Sequence, residues 1–138
     1  MFDRCLYFNT TALARRLERE WASAFALFEL SPPQAFMLRA VLAKPGMPQR
    51  ELAAAMSIAR PTATRALDFL QAKEFIVRSS RDGDAREICI YPTEKAFAIH
   101  DALNAASAAV TRKLKASLGN AEFNEAVATV ARVRSVID

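Results

Sequence analysis

The helical period of this sequence breaks at one place. Up to about Lys73, apolar residues recur at three- and four-residue spacing. Then come Phe75-Ile76-Val77-Arg78 and Glu87-Ile88-Cys89-Ile90-Tyr91, two short β-prone runs. Between them lies Arg81-Asp82-Gly83-Asp84-Ala85-Arg86, and Asp-Gly flanked by strands is a strong hairpin signal. Pro92 ends the second run. A hairpin inserted between helices constrains the architecture more tightly than composition does. Composition agrees with it: 28 of 138 residues are alanine and three are glycine. That balance favours closely packed helices over a sandwich or barrel, which needs frequent glycine turns. The length suits one domain, residues 1–138.

The helices on either side can be placed from their stops and starts. Leu6, Leu13, Leu17, Trp21, Phe25 and Phe28 follow a helical spacing, which predicts a first helix. Ser31-Pro32-Pro33-Gln34 predicts a second start. Serine accepts from the N3 amide, proline fits the first turn, and glutamine reaches back. Lys44-Pro45-Gly46 stops that helix. Pro48 opens a third, Gln49 to Met56. A fourth begins at Pro61 with Arg60 as its cap, because proline disfavours a helical residue before it. Ala63, Ala66, Leu67 and Leu70 form its inner stripe. Thr93 caps a fifth helix from Glu94 to about Leu118, and Gly119-Asn120 separates it from a sixth.

Several function classes find no support. The apolar runs fall short of the 18 or more residues that a membrane span needs, and no signal-peptide h-region is visible, so a cytoplasmic protein is expected. Cys5 and Cys89 are too far apart to suggest a disulfide framework. One histidine, His100, does not make a metal site. The three glycines are scattered, which argues against Walker and dinucleotide cradles. No cofactor, no metal and no enzymatic activity are expected.

Helix, tight turn, helix and hairpin is the order of a winged helix-turn-helix. The expected fold is therefore mainly α, with a two-stranded wing and long flanking helices. A helix fits the major groove, and a basic hairpin reaches a neighbouring minor groove. The expected DNA contacts are Gln49, Arg60, Pro61, Thr62, Thr64 and Arg65 on the helical pair, with Arg78, Arg81 and Arg86 on the wing. Net charge is a poor guide to this. The chain carries +4, but residues 48–92 hold seven basic and six acidic side chains, a net of only +1. The placement of the arginines carries the reading. The outer helices, residues 1–30 and 94–138, are too apolar to flank a lobe of residues 31–92 alone. Their stripes suit dimerisation, and a twofold homodimer sets two recognition helices roughly 34 Å apart.

In this order of parts the chain resembles the MarR family of transcription regulators. The resemblance rests on Gln49-Arg50-Glu51-Leu52-Ala53, Ile58 and Thr62 to Leu70, with Arg78, Asp84-Ala85-Arg86 and Tyr91-Pro92-Thr93-Glu94-Lys95. It implies that Asp84 braces the wing and that Arg86 approaches the minor groove. It further implies a homodimeric repressor of a pseudo-palindromic operator, modulated by a small aromatic or anionic effector. The effector pocket would lie between the DNA-binding lobe and the dimerisation helices, with Trp21, Phe25 and Phe36 as candidate lining. The sequence departs from the family where glycine is usual, at Glu74 and Ala96, and where Pro92 replaces leucine.

Two alternatives stay open at this level. Cys5, near the start of helix one, resembles the cysteine of the family's peroxide-sensing branch, which implies an oxidant-sensing regulator. The tyrosines that support that cysteine are replaced here by Asn9 and Arg19. A winged helix that binds a protein rather than DNA is the other.

Overall fold

The computed structural model describes residues 1–81 and 84–137, with side chains described at all of these except 81, 84 and 85. The described elements run α1 (Leu6–Phe25), α2 (Pro32–Ala43), β1 (Met47–Pro48), α3 (Gln49–Ala55), α4 (Arg60–Ala72), β2 (Ile76–Arg81), β3 (Asp84–Pro92), α5 (Glu94–Leu118) and α6 (Asn120–Val136). This is the mainly α, winged-helix architecture that the break in period predicts.

Local chemistry accounts for the helix boundaries. At α2 the Ser31 hydroxyl accepts from the Gln34 amide, and the Gln34 side chain accepts from the Ser31 amide, a complete capping box. The Thr93 hydroxyl likewise accepts from the Ala96 amide at the start of α5. Gly119, at φ 88°, is the whole link between α5 and α6, and Asn120, expected to separate the helices with it, is already the first residue of α6. Two other starts and ends differ from expectation by a few residues. At α4 the cap is Ala59, whose carbonyl accepts from the Ala63 amide, which draws Arg60 into the helix ahead of Pro61. Pro61 loses nothing there, since first-turn amides have no intrahelical partner. At α1 the helix stops at Phe25 and a 3₁₀ turn, Ala26–Phe28, tightens the exit before Glu29 turns left-handed at φ 57°.

The sheet has three strands rather than two, in the order β1-β3-β2, all antiparallel. Met47 and Pro48 pair with Ile90 and Cys89 on the inner side of the wing. Pro48 lacks an amide proton, which suits an edge strand. The Gly46 amide donates to the Ile90 carbonyl at 2.7 Å and leads the chain into this edge. The hairpin tip, Asp82-Gly83, lies outside the described residues.

The core sits under the helix-turn-helix and the wing. Phe25, Met37, Leu38, Val41, Leu52, Leu67, Leu70, Ile76, Ile90 and Leu103 are all fully or almost fully buried. Each such side chain contributes about 1.5–3 kcal/mol relative to exposure. Within α4 the buried set is Ala63, Leu67 and Leu70, while Ala66 is only half-buried. Outside this lobe the chain is less well covered. α6 has no buried residue, and its Val127 and Val130 are 54% and 56% exposed. Leu6 and Tyr7 of α1 are also exposed.

Candidate nucleic-acid interface

The burial of Ala63, Leu67 and Leu70 fixes which face of α4 points outward. Arg60, Pro61, Thr62, Thr64 and Arg65 are all exposed at its N-terminal half. The Thr64 hydroxyl donates back to the Arg60 carbonyl at 3.0 Å and accepts from the Gln49 side-chain amide at 3.5 Å. That contact joins the first residue of α3 to α4 across the turn. Arg65 makes one long bond, 3.4 Å, to the Thr62 hydroxyl. Among the described residues no carboxylate pairs with Arg60 or Arg65. Exposed, unpaired guanidinium groups beside hydroxyls are well suited to phosphates and guanine edges.

The wing approaches this helix from one side. Between α3, α4 and β3 lies a cleft of about 320 Å³, lined by Gln49, Arg50, Arg60, Thr64, Arg86 and Glu87 among others. Arg86 is exposed on β3. Arg50 donates to the Glu87 carboxylate at 2.8 Å across the cleft, and this bond, with the carboxylate's charge, raises the pKa of the guanidinium. The Arg50–Glu87 pair was not foreseen from the sequence. Residues 50 and 87 are too far apart in the chain for a pattern to join them.

Arg78 stands apart from the other wing arginines. Its Nε donates to Gln71 Oε1 at 2.6 Å, and its Nη2 donates to Asp68 Oδ1 at 2.7 Å. Both partners belong to α4. The guanidinium, an expected DNA contact, ties the first wing strand to the C-terminal part of α4. The backbone places Arg81 in β2 and Asp84 in β3, and the side chains of both lie outside the described residues.

Behind α4 lies an apolar cavity of about 540 Å³ between α1, α2 and the turn into α4. Leu17 and Trp21 of α1, Phe36 of α2, and Thr62 and Ala66 of α4 line it. Two of the three aromatics expected at a pocket are therefore there. Phe25 is not. It is fully buried, with its ring edge-on to Phe36 at 5.9 Å, because the exit of α1 turns it into the core. Next to the cavity, Trp21 Nε1 donates to the Ser107 hydroxyl at 3.0 Å. Arg39 donates to Ser107 and to Asn104 Oδ1, and its guanidinium lies 4.9 Å above the Phe36 ring. Among the described residues it has no carboxylate partner, and burial lowers its pKa from the ordinary value.

Cys5 is exposed at the N-cap of α1, and Cys89 is fully buried in β3 beside Ile90. His100 is half-buried in α5. Among the described residues no cluster of metal-ligating side chains occurs, and no helix is long and apolar enough to cross a membrane.

One family model matches the chain, over residues 30–88. The family is MarR. The match spans the lobe from the entry to α2 through the middle of β3, which holds the helix-turn-helix and the wing. Among proteins of curated function no sequence relative matches. Solved structures extend the likeness to the whole chain. The repressor CouR bound to a 23-mer DNA duplex superposes with a TM-score of 0.89 at 23% identity, covering 96% of this chain and 94% of that one. MepR of S. aureus in a DNA complex gives 0.88 at 18%, covering 99% and 100%. CouR bound to p-coumaroyl-CoA gives 0.87 at 22%, covering 96% and 94%. At such identities the likeness shows the fold alone, both terminal helices included.

Proposed function

We propose that this chain is a homodimeric transcription regulator of the MarR type, a repressor that binds a pseudo-palindromic operator in the cytoplasm. The observation that carries the reading is the outer face of α4. Arg60 and Thr64 are exposed on its wing side, Arg65 on its outer side and Thr62 on its far flank, and the two arginines have no carboxylate partner among the described residues. Gln49 and Pro61 complete the helical contact surface, and Arg81 and Arg86 serve the wing with Asp84 bracing it. Arg78 positions the wing rather than reading DNA, which its bonds to Asp68 and Gln71 support. The family match and the DNA-bound relatives favour this over a protein-binding winged helix or an enzyme.

Residues 1–30 and 94–138 form the dimerisation part, and residues 31–92 the DNA-binding lobe. The exposed valines of α6 and the exposed apolar start of α1 support this division. An effector fits the cavity lined by Trp21 and Phe36. Because Thr62 and Ala66 also line it, a ligand there presses on the recognition helix itself. If it prefers the spacing that does not fit DNA, operator affinity falls by population shift. Trp21 and Phe36 support an aromatic group on that ligand; the charged residue in the lining is Glu18, and Arg39 lies over the Phe36 ring rather than in the lining.

Selection of bound genomic fragments tests the reading, repeated with aromatic acids and with hydrogen peroxide. The peroxide arm probes the exposed Cys5 thiol. On a selected operator, Arg65→Ala costs about 1–3 kcal/mol and relaxes sequence preference. Arg86→Ala weakens binding with little sequence dependence. Wild-type binding by both variants refutes the assignment.

A further inference from the structure

The cleft between α3, α4 and the wing contains one carboxylate among its arginines. Glu87 shares the lining with Arg50, Arg60 and Arg86. Its side chain is 22% exposed, held by β3, whereas Arg50 is 67% exposed on the first turn of α3. At 2.8 Å the bond between them has the length of a charge-assisted hydrogen bond. The asymmetry in exposure matters. Arg50 is the more exposed partner. Without Arg50, the Glu87 carboxylate is left largely covered by protein. Arg50 is therefore retained on Glu87.

We propose that Glu87 sets the affinity for nucleic acid: its carboxylate occupies on Arg50 the place that a backbone phosphate would take. The inference rests on the DNA-binding reading above. A duplex approaching this cleft carries about one negative charge per 1.7 Å of axis. It meets Arg60 directly, but at Arg50 it meets a charge already neutralised. Glu87 thereby removes one phosphate contact from the interface and adds a repulsive charge beside the remaining ones. The consequence is a regulator whose non-specific binding is held down, while base reading by α4 is untouched.

The test is Glu87→Gln, which keeps shape and an acceptor but removes the charge. Binding to a mixed-sequence duplex is followed by fluorescence anisotropy between about 50 and 200 mM salt. The variant binds more tightly at low salt. Its log–log salt dependence steepens by about 0.9, so that it loses about 3.5-fold more affinity over that range than wild type. Arg50→Gln added to Glu87→Gln returns the salt slope to that of wild type and removes most of the gain in affinity. Thermal melts recorded alongside separate a binding effect from misfolding. Unchanged or weaker binding by a folded Glu87→Gln protein overturns the inference and leaves the regulator reading intact. Absence of salt-dependent binding in wild type and variant alike overturns the regulator reading itself, and this inference with it.

Discussion

Replacing Arg78 by alanine separates two roles that an arginine on a wing can have. As a DNA contact its loss affects binding alone. As a brace its loss affects the protein first. The structure allows the second effect to be sized. The guanidinium makes a 2.7 Å ion pair with Asp68, which is 59% exposed, and a 2.6 Å bond with Gln71. Solvent around Asp68 screens the pair, so it contributes about 1 kcal/mol, the upper end for exposed pairs. The bond to the neutral Gln71 adds about 1 kcal/mol. Arg78 itself is only 21% exposed, and truncation also removes the packing of its stem. The sum is about 2 kcal/mol, or about 5–10 °C in melting temperature for a chain of this size. Thermal unfolding at fixed protein concentration reads this directly. A double-mutant cycle with Asp68→Asn isolates a coupling of about 0.5–1 kcal/mol. Duplex binding against salt supplies the second readout: Arg78→Ala leaves the slope unchanged. A variant that melts like wild type and flattens the slope by about 0.9 refutes the bracing role and makes Arg78 a phosphate contact.

Three other perturbations have definite outcomes. Glu74 links α4 to β2 at φ 64°, where a side chain costs about 1–2 kcal/mol, so Glu74→Gly stabilises by about 0.5–1 kcal/mol after the added freedom of the unfolded chain. Glu74→Ala gives no such gain in the same melt. Leu67→Ala, at a fully buried position on α4, lowers stability by about 2–5 kcal/mol in denaturant titration. On the homodimer reading, Val127→Asp combined with Val130→Asp places charges on the exposed apolar face of α6 and shifts sedimentation equilibrium from dimer to monomer.

The reach of the sequence varied with the range of the interaction. The capping box at Ser31 and the Thr93 cap are local patterns, and both were legible from a few neighbouring residues. The strand pair around the hairpin was legible from the change in period. β1 was not, because two residues cannot display an alternation, and its pairing with β3 depends on contacts about forty positions away. The same limit explains the site. Spacing on α4 identifies its outer face, since burial of positions 63, 67 and 70 decides the rest. Spacing cannot show that Arg78 is engaged by Asp68 and Gln71, or that Arg50 meets Glu87. Phe25 illustrates the converse: a helical pattern counts it with Trp21, yet the turn at Ala26–Phe28 assigns it to the core.

The single-residue joint at Gly119 gives α6 an unusual dependence. A glycine at φ 88° ends α5, and nothing lies within 4 Å of the position its β-carbon would occupy. The helix beyond it buries no residue within its own chain. Within the chain it is held by α5 alone at one edge, where Lys115 lies over the Phe123 ring, and the rest of its apolar face stays open. With a second copy on that face, completing the fold and finding a mate become one event, second order in chain concentration. Freshly made or diluted chains then carry a C-terminal helix that is open to proteases and to amide exchange. On the homodimer reading, protection of α6 reports pairing, and chain concentration sets how much of the protein is finished.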